Sequence, residues 1–114
     1  MTAVLKILVL ARSIISEPAH WNQGHLALTE DGDRISTLSS MAVCFCAFGA
    51  VHKAAFEFEA LDSLPEAIEA LVVAISESKG MPELSSSLVG YNDNHSHEEV
   101  LQRFDEAIEK SNVN

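Results

Sequence analysis

Apolar positions crowd the first fifteen residues. Val4, Leu5, Ile7, Leu8, Val9, Leu10, Ile14 and Ile15 wrap most of a helical circumference, with Thr2 as the predicted N-cap and Pro18 as the stop. A second run, residues 41–51, carries no charge. It predicts a helix over about 40–55, capped by Ser39 or Ser40 and buried on most sides as the central helix. Gly49 inside it costs about 1 kcal/mol against alanine, which predicts a close helix crossing. Farther on, Leu64, Ile68, Leu71, Val72 and Ile75 form one stripe. Ser63 and Glu66 have capping-box spacing, Pro65 sits in the first turn, and Gly80 followed by Pro82 marks the end. The last stripe is Val100, Phe104, Ala107 and Ile108, introduced by a second box at Ser96 and Glu99. Glu99–Arg103 and Glu106–Lys110 are i,i+4 pairs on its wet side.

Between the first two helices, Asp31-Gly32 separates two short stretches. A type I′ turn needs positive φ at both central positions, so this dipeptide predicts a hairpin with strands at about 25–30 and 33–37. Residues 80–95 read as a loop around Pro82 and Ser85-Ser86-Ser87. The expected fold is therefore mainly α, one helical domain over 1–114, with four helices and a two-stranded hairpin between helices 1 and 2. Its length suits one domain with its own core.

Apolar content of 47% argues against wholesale disorder. The net charge of −10 changes the picture of partners, because it is uneven. Residues 1–57 hold 5 acidic and 4 basic side chains, or −1; residues 58–114 hold 12 and 3, or −9. Direct binding to nucleic acid or an anionic membrane needs clustered Lys and Arg, so neither is expected. A basic protein surface is compatible with this charge, and a solvated acidic surface that keeps the protein soluble accounts for it more simply. Lys6 and Arg12 interrupt the N-terminal apolar run, no basic segment precedes it, and no small-x-small site follows, so it is read as a buried helix rather than a signal peptide. Cys44 and Cys46 are the two cysteines. On one helix they would point about 200° apart and could not pair. A reducing, cytoplasmic setting follows as the expectation.

Several short pieces occur in a telling order: Trp21-x-x-Gly24, Asp31-Gly32, Cys46-x-x-Gly49-Ala50, Tyr91-Asn92-Asp93, and Glu99-Val100 with Phe104-Asp105-x-Ala107-Ile108. The chain thereby resembles an uncharacterised bacterial and phage domain family. The resemblance implies a shared fold and no particular activity. It departs at Tyr91, where the family usually has Trp, and at His95-Ser96, where the family usually has Gly-Arg.

Candidate chemistry concentrates in "YNDNHSHEEV", residues 91–100. Asp93, His95 and His97 are the candidate metal ligands, with His20, His25 or His52 as a fourth, but solvent-exposed histidines in a short polar loop account for the same residues and no metal is expected. Cys44 or Cys46 with a histidine and Asn92 or Asp93 would be a nucleophilic arrangement, but both thiols sit in the most apolar segment. Trp21, Asn22 and Gln23 with Tyr91, Asn92 and Asp93 would form a ligand site if their loops meet, offering aromatic walls and amides to a small polar ligand or a peptide. Packing accounts for the same residues: the rings plug the core and the Asx side chains make turns. No catalytic residue is assigned and no cofactor is implied. The expected function is a small non-catalytic binding or regulatory module. The alternatives are a ligand-binding protein or enzyme at Trp21, Asn92 and Asp93, and an acidic phage-type inhibitor that mimics nucleic acid.

Overall fold

The structure is a computed structural model that describes residues 1–78 and 87–112. In chain order it contains α1 (Ala3–Ile14), β1 (Ala27–Leu28), β2 (Cys44–Phe45), α2 (Ala47–Glu57), α3 (Leu64–Ser78), α4 (Leu88–Asn94) and α5 (His97–Ser111). Short 3₁₀ turns at Pro18–His20 and Leu61–Ser63 complete the order. Among the described residues there are thus five α-helices, not four. The expected Gly80 cap and the loop through Pro82, Ser85 and Ser86 lie outside those residues.

Local signals succeeded where one residue does the work. The Thr2 hydroxyl accepts from the Leu5 N–H, and Ser96 and Glu99 form the full capping box of α5. Six of the eleven residues of α2 are buried, a larger share than in any other long helix, so it is the central helix. The core fills around it with Ile7, Leu8, Ile15, Leu71, Ile75, Val100 and Phe104. On the surface, Lys110 reaches across to Glu77 and Arg12 to Asp105. Exposed pairs of this kind add little, about 0–1 kcal/mol each.

The start of α2 differs from the expected one. The helix begins at Ala47, with Cys46 rather than Ser39 or Ser40 as its cap, and residues 44–45 are extended. A run that is apolar on all sides has no periodicity to separate strand from helix. Met41 and Val43, within that run, are exposed. The hairpin is also rearranged. The turn is not the expected type I′: Gly32 N–H donates to Thr29 O at 2.9 Å, which makes Glu30-Asp31 the central pair, and of Asp31 and Gly32 just Gly32 has positive φ (+85°), with Thr29 N–H donating to Asp33 O at 2.8 Å. Only a single bridge, Leu28 to Arg34, follows it. The sheet partner of β1 is instead β2, antiparallel, with Ala27 opposite Phe45 and Leu28 opposite Cys44. The sheet therefore sits between α1 and α2 as expected but closes against the entry to α2.

Helix α4 falls in the segment read as loop. Gly90, two asparagines and an aspartate make "LVGYNDN" a poor helix by propensity, and isolated helices this short are unstable. Tertiary contacts overrule that. Leu88, Tyr91 and Asn92 are buried, and the Ser87 hydroxyl caps the Gly90 N–H at 3.0 Å.

The end of α2 carries a strained residue. Ala60 N–H donates to Ala55 O at 2.8 Å and Glu59 N–H to Phe56 O at 3.0 Å, the paired bonds of a Schellman turn. Its left-handed position holds Glu59, at φ +53°, where glycine is usual. Glu59→Gly should raise stability by about 0.5–1 kcal/mol, because relief of the Cβ clash outweighs the added freedom of the unfolded chain. Urea denaturation measures it. A lower midpoint for the variant would mean that the turn is not under this strain.

Candidate functional site

The loop after α1 and helix α4 meet, and Asn92 is where they meet. Its side chain is fully buried at 0% exposure. The amide oxygen accepts from the Trp21 indole Nε1 at 2.7 Å and from the Ala47 backbone N–H at 2.9 Å. The amide nitrogen donates to Asn22 O at 3.0 Å and to Asp93 Oδ1 at 3.2 Å. Two acceptor sites and two hydrogens are all that a carboxamide has, and all four are used. Asn92 thus acts as a cap for α2 from forty-five residues away, satisfying an N–H that the helix itself cannot.

Neighbouring side chains finish the connection. Gln23 Nε2 donates to the carbonyls of Asn92 (3.1 Å) and His95 (2.9 Å), closing the end of α4. Asp93 Oδ1 also accepts from the Gly24 N–H at 2.8 Å. The Tyr91 ring is buried and stacks on His95 with centroids 3.7 Å apart, and its hydroxyl accepts from Arg103 Nη1 at 3.1 Å. All six candidate ligand residues therefore come together: Trp21, Asn22, Gln23, Tyr91, Asn92 and Asp93. Their polar atoms are directed mainly at one another and at backbone groups. One atom is left over. Asn22 Oδ1 is buried without a hydrogen-bond partner, while its Nδ2 lies 3.5 Å from Cys44 Sγ.

The candidate metal ligands point elsewhere. His95 Nδ1 donates to Tyr91 O at 2.9 Å, which sets its tautomer, and His97 Nε2 donates to Ile15 O at 2.6 Å. The His97 ring also lies 5.2 Å from Trp21. Among the described residues, no three of His, Cys, Asp and Glu are gathered as a metal would need. Neither histidine is the open surface residue that a short polar loop suggests; both are half-buried.

The cysteines are placed differently from expectation and do not share a helix. Cys44 is in β2, half-buried, and Cys46 is the buried N-cap of α2, its sulfur accepting from the Gly49 N–H at 3.4 Å. Burial pushes the Cys46 thiol above its ordinary pKa, and the Asp93 charge adds to it; the Gly49 and Phe48 backbone groups pull the other way. A thiol held protonated is a poor nucleophile.

The parts of this arrangement hidden from the sequence are backbone groups, above all the Ala47 N–H and the Leu26 carbonyl beside Gly49. No residue type marks them. No helix among the described residues is long and apolar enough to cross a membrane. Neither a curated protein nor a solved structure matches the chain. A family model does, over residues 1–110, and the chain belongs to that family, a family of unknown function (DUF6197).

Proposed function

We propose that the protein is a small binding or regulatory module without catalytic activity, which engages a basic partner through its acidic second half. The charge carries this reading: residues 58–114 hold −9 of the net −10. Several of the few cations are already engaged, Arg12 with Asp105, Lys53 with Glu57, Arg103 with Glu106 and Lys110 with Glu77. The exposed carboxylates of α3 and α5 then set a negative field that steers a positive surface and repels nucleic acid.

The test is affinity capture from a bacterial lysate at low and high salt, with mass spectrometry. Wild type is compared with a variant carrying Glu66→Gln, Glu69→Gln, Glu98→Gln and Glu109→Gln. Basic proteins should be enriched by wild type, released by salt and missed by the variant. A captured set indifferent to both salt and variant would remove the charge reading. A second reading, a small-ligand or catalytic site at Trp21, Asn92 and Asp93, draws on the unpartnered Asn22 oxygen beside them.

A further inference from the structure

The turn from α2 to α3 exposes large apolar side chains beside carboxylates. Phe56 and Leu61 are 46% and 45% exposed. With Glu57, Glu59 and Asp62 they line an open cleft of about 530 Å³, within the roughly 300–1,000 Å³ of ligand sites. Phe56 and Leu61 border the same cleft, so one apolar side chain of a partner can cover both. The carboxylates specify what would cover it. No Lys or Arg occurs in the sequence between Lys53 and Lys79, and Lys53 offsets only Glu57, at 2.7 Å. Glu59 and Asp62 leave the rim negative.

Glu59 occupies the left-handed position of the Schellman turn at φ +53°, where glycine would relieve the strain. Strained residues concentrate where a side chain is needed for a purpose other than stability. Here the strained residue is one that lines the apolar cleft.

We propose that this cleft docks a cationic, apolar peptide segment of a partner protein, with a Lys or Arg against Glu59 and Asp62 and an aliphatic or aromatic residue against Phe56 and Leu61. This rests on the basic-partner reading and gives it a location. The face of Phe56 also suits a cation, by attraction to the ring quadrupole. An anionic bilayer or a nucleic acid meets repulsion at the same rim. A second copy of this chain would bring like carboxylates together.

The test is an isotope-edited NMR titration of the full chain with a short peptide bearing lysines and leucines at helical spacing. Fluorescence anisotropy of the labelled peptide gives the affinity. Shifts should centre on residues 56–62. Phe56→Ser should weaken binding by about tenfold, and so should Glu59→Gln with Asp62→Asn, each being a loss of roughly 1.4 kcal/mol. Both sets alter exposed positions, and retained far-ultraviolet dichroism checks that they fold. If an all-lysine peptide binds as well, the attraction is charge alone and the cleft proposal falls. If the lysine–leucine peptide binds elsewhere, and only the four-glutamate variant weakens it, the cleft proposal falls while the basic-partner reading stands. If neither peptide binds, the cleft proposal falls, and the basic-partner reading is decided by the salt and variant dependence of the lysate capture.

Discussion

Asn92→Ala is expected to lower folding stability by about 3–5 kcal/mol, among the largest effects a single change in this chain can have. The substitution removes a buried amide that makes four hydrogen bonds and leaves their partners behind. Trp21, half-exposed, can turn its indole N–H toward water. The Ala47 N–H cannot, because Ala47 is fully buried. An orphaned buried donor costs about 1–3 kcal/mol, the Asn22 carbonyl adds a similar term, and the vacated volume adds more. Asn92→Asp separates these contributions. It keeps the acceptor facing Trp21 and Ala47 but turns a donor into an acceptor against Asn22 O and Asp93 Oδ1. It also buries a second carboxylate beside Asp93, so it should be at least as damaging near neutral pH. Urea denaturation of both variants is the measurement. A loss under about 1 kcal/mol for Asn92→Ala would show that water replaces the amide freely and that this connection does not organise the fold.

How much of this was legible follows from the range of each interaction. Caps whose partners lie three residues away, Thr2 with Leu5 and Ser96 with Glu99, can be read from residue type and spacing, but the same spacing at Ser63 and Glu66 makes no box, because a 3₁₀ turn, Leu61–Ser63, runs directly into α3. The stripes of α3 and α5 are legible for the same reason, since a helix repeats its core face within a turn. Helix α4 was hidden because its own propensity argues against it and its stabilising contacts come from elsewhere in the chain. The β2–α2 boundary was hidden because an all-apolar run has no phase. For the candidate site, residue type groups Trp21, Asn22, Gln23 with Tyr91, Asn92, Asp93 if their loops meet, and the two segments do meet through hydrogen bonds. It could not show that Asn92 reaches the start of α2, because that partner is a backbone N–H. The pieces around Trp21–Gly24, Cys46–Ala50 and Tyr91–Asp93 are separated in sequence yet converge on one amide. Their residue types have a packing explanation that stands whether or not a ligand visits.

Gly49→Ala is expected to cost about 2–4 kcal/mol, although alanine in a helix is ordinarily the better residue by about 1 kcal/mol. Gly49 lies in the first turn of α2, not at the helix crossing that its position in an apolar run suggests. A Cβ there would fall 2.0 Å from Leu26 O and 2.9 Å from Leu26 C. Both are backbone atoms, so no rotamer change relieves the clash. Leu26 cannot retreat freely either. Its carbonyl accepts from the Cys46 N–H at 3.3 Å, and Ala27 next to it pairs with Phe45. Moving Leu26 therefore strains β1, its ladder with β2 and the cap of α2 together. Gly32→Ala is the control. Space around Gly32 is open, but φ is +85°, so alanine should cost only about 1–2 kcal/mol through backbone strain. Denaturation midpoints of the two variants rank them, and amide hydrogen exchange locates the damage. Protection should fall across Ala27–Leu28, Cys44–Phe45 and the first turn of α2 in Gly49→Ala, and only near the Asp31-Gly32 turn in the control. If Gly49→Ala matches or exceeds wild-type stability, helix propensity decides that position, and the close approach of the Leu26 carbonyl to α2 is not a constraint on the fold.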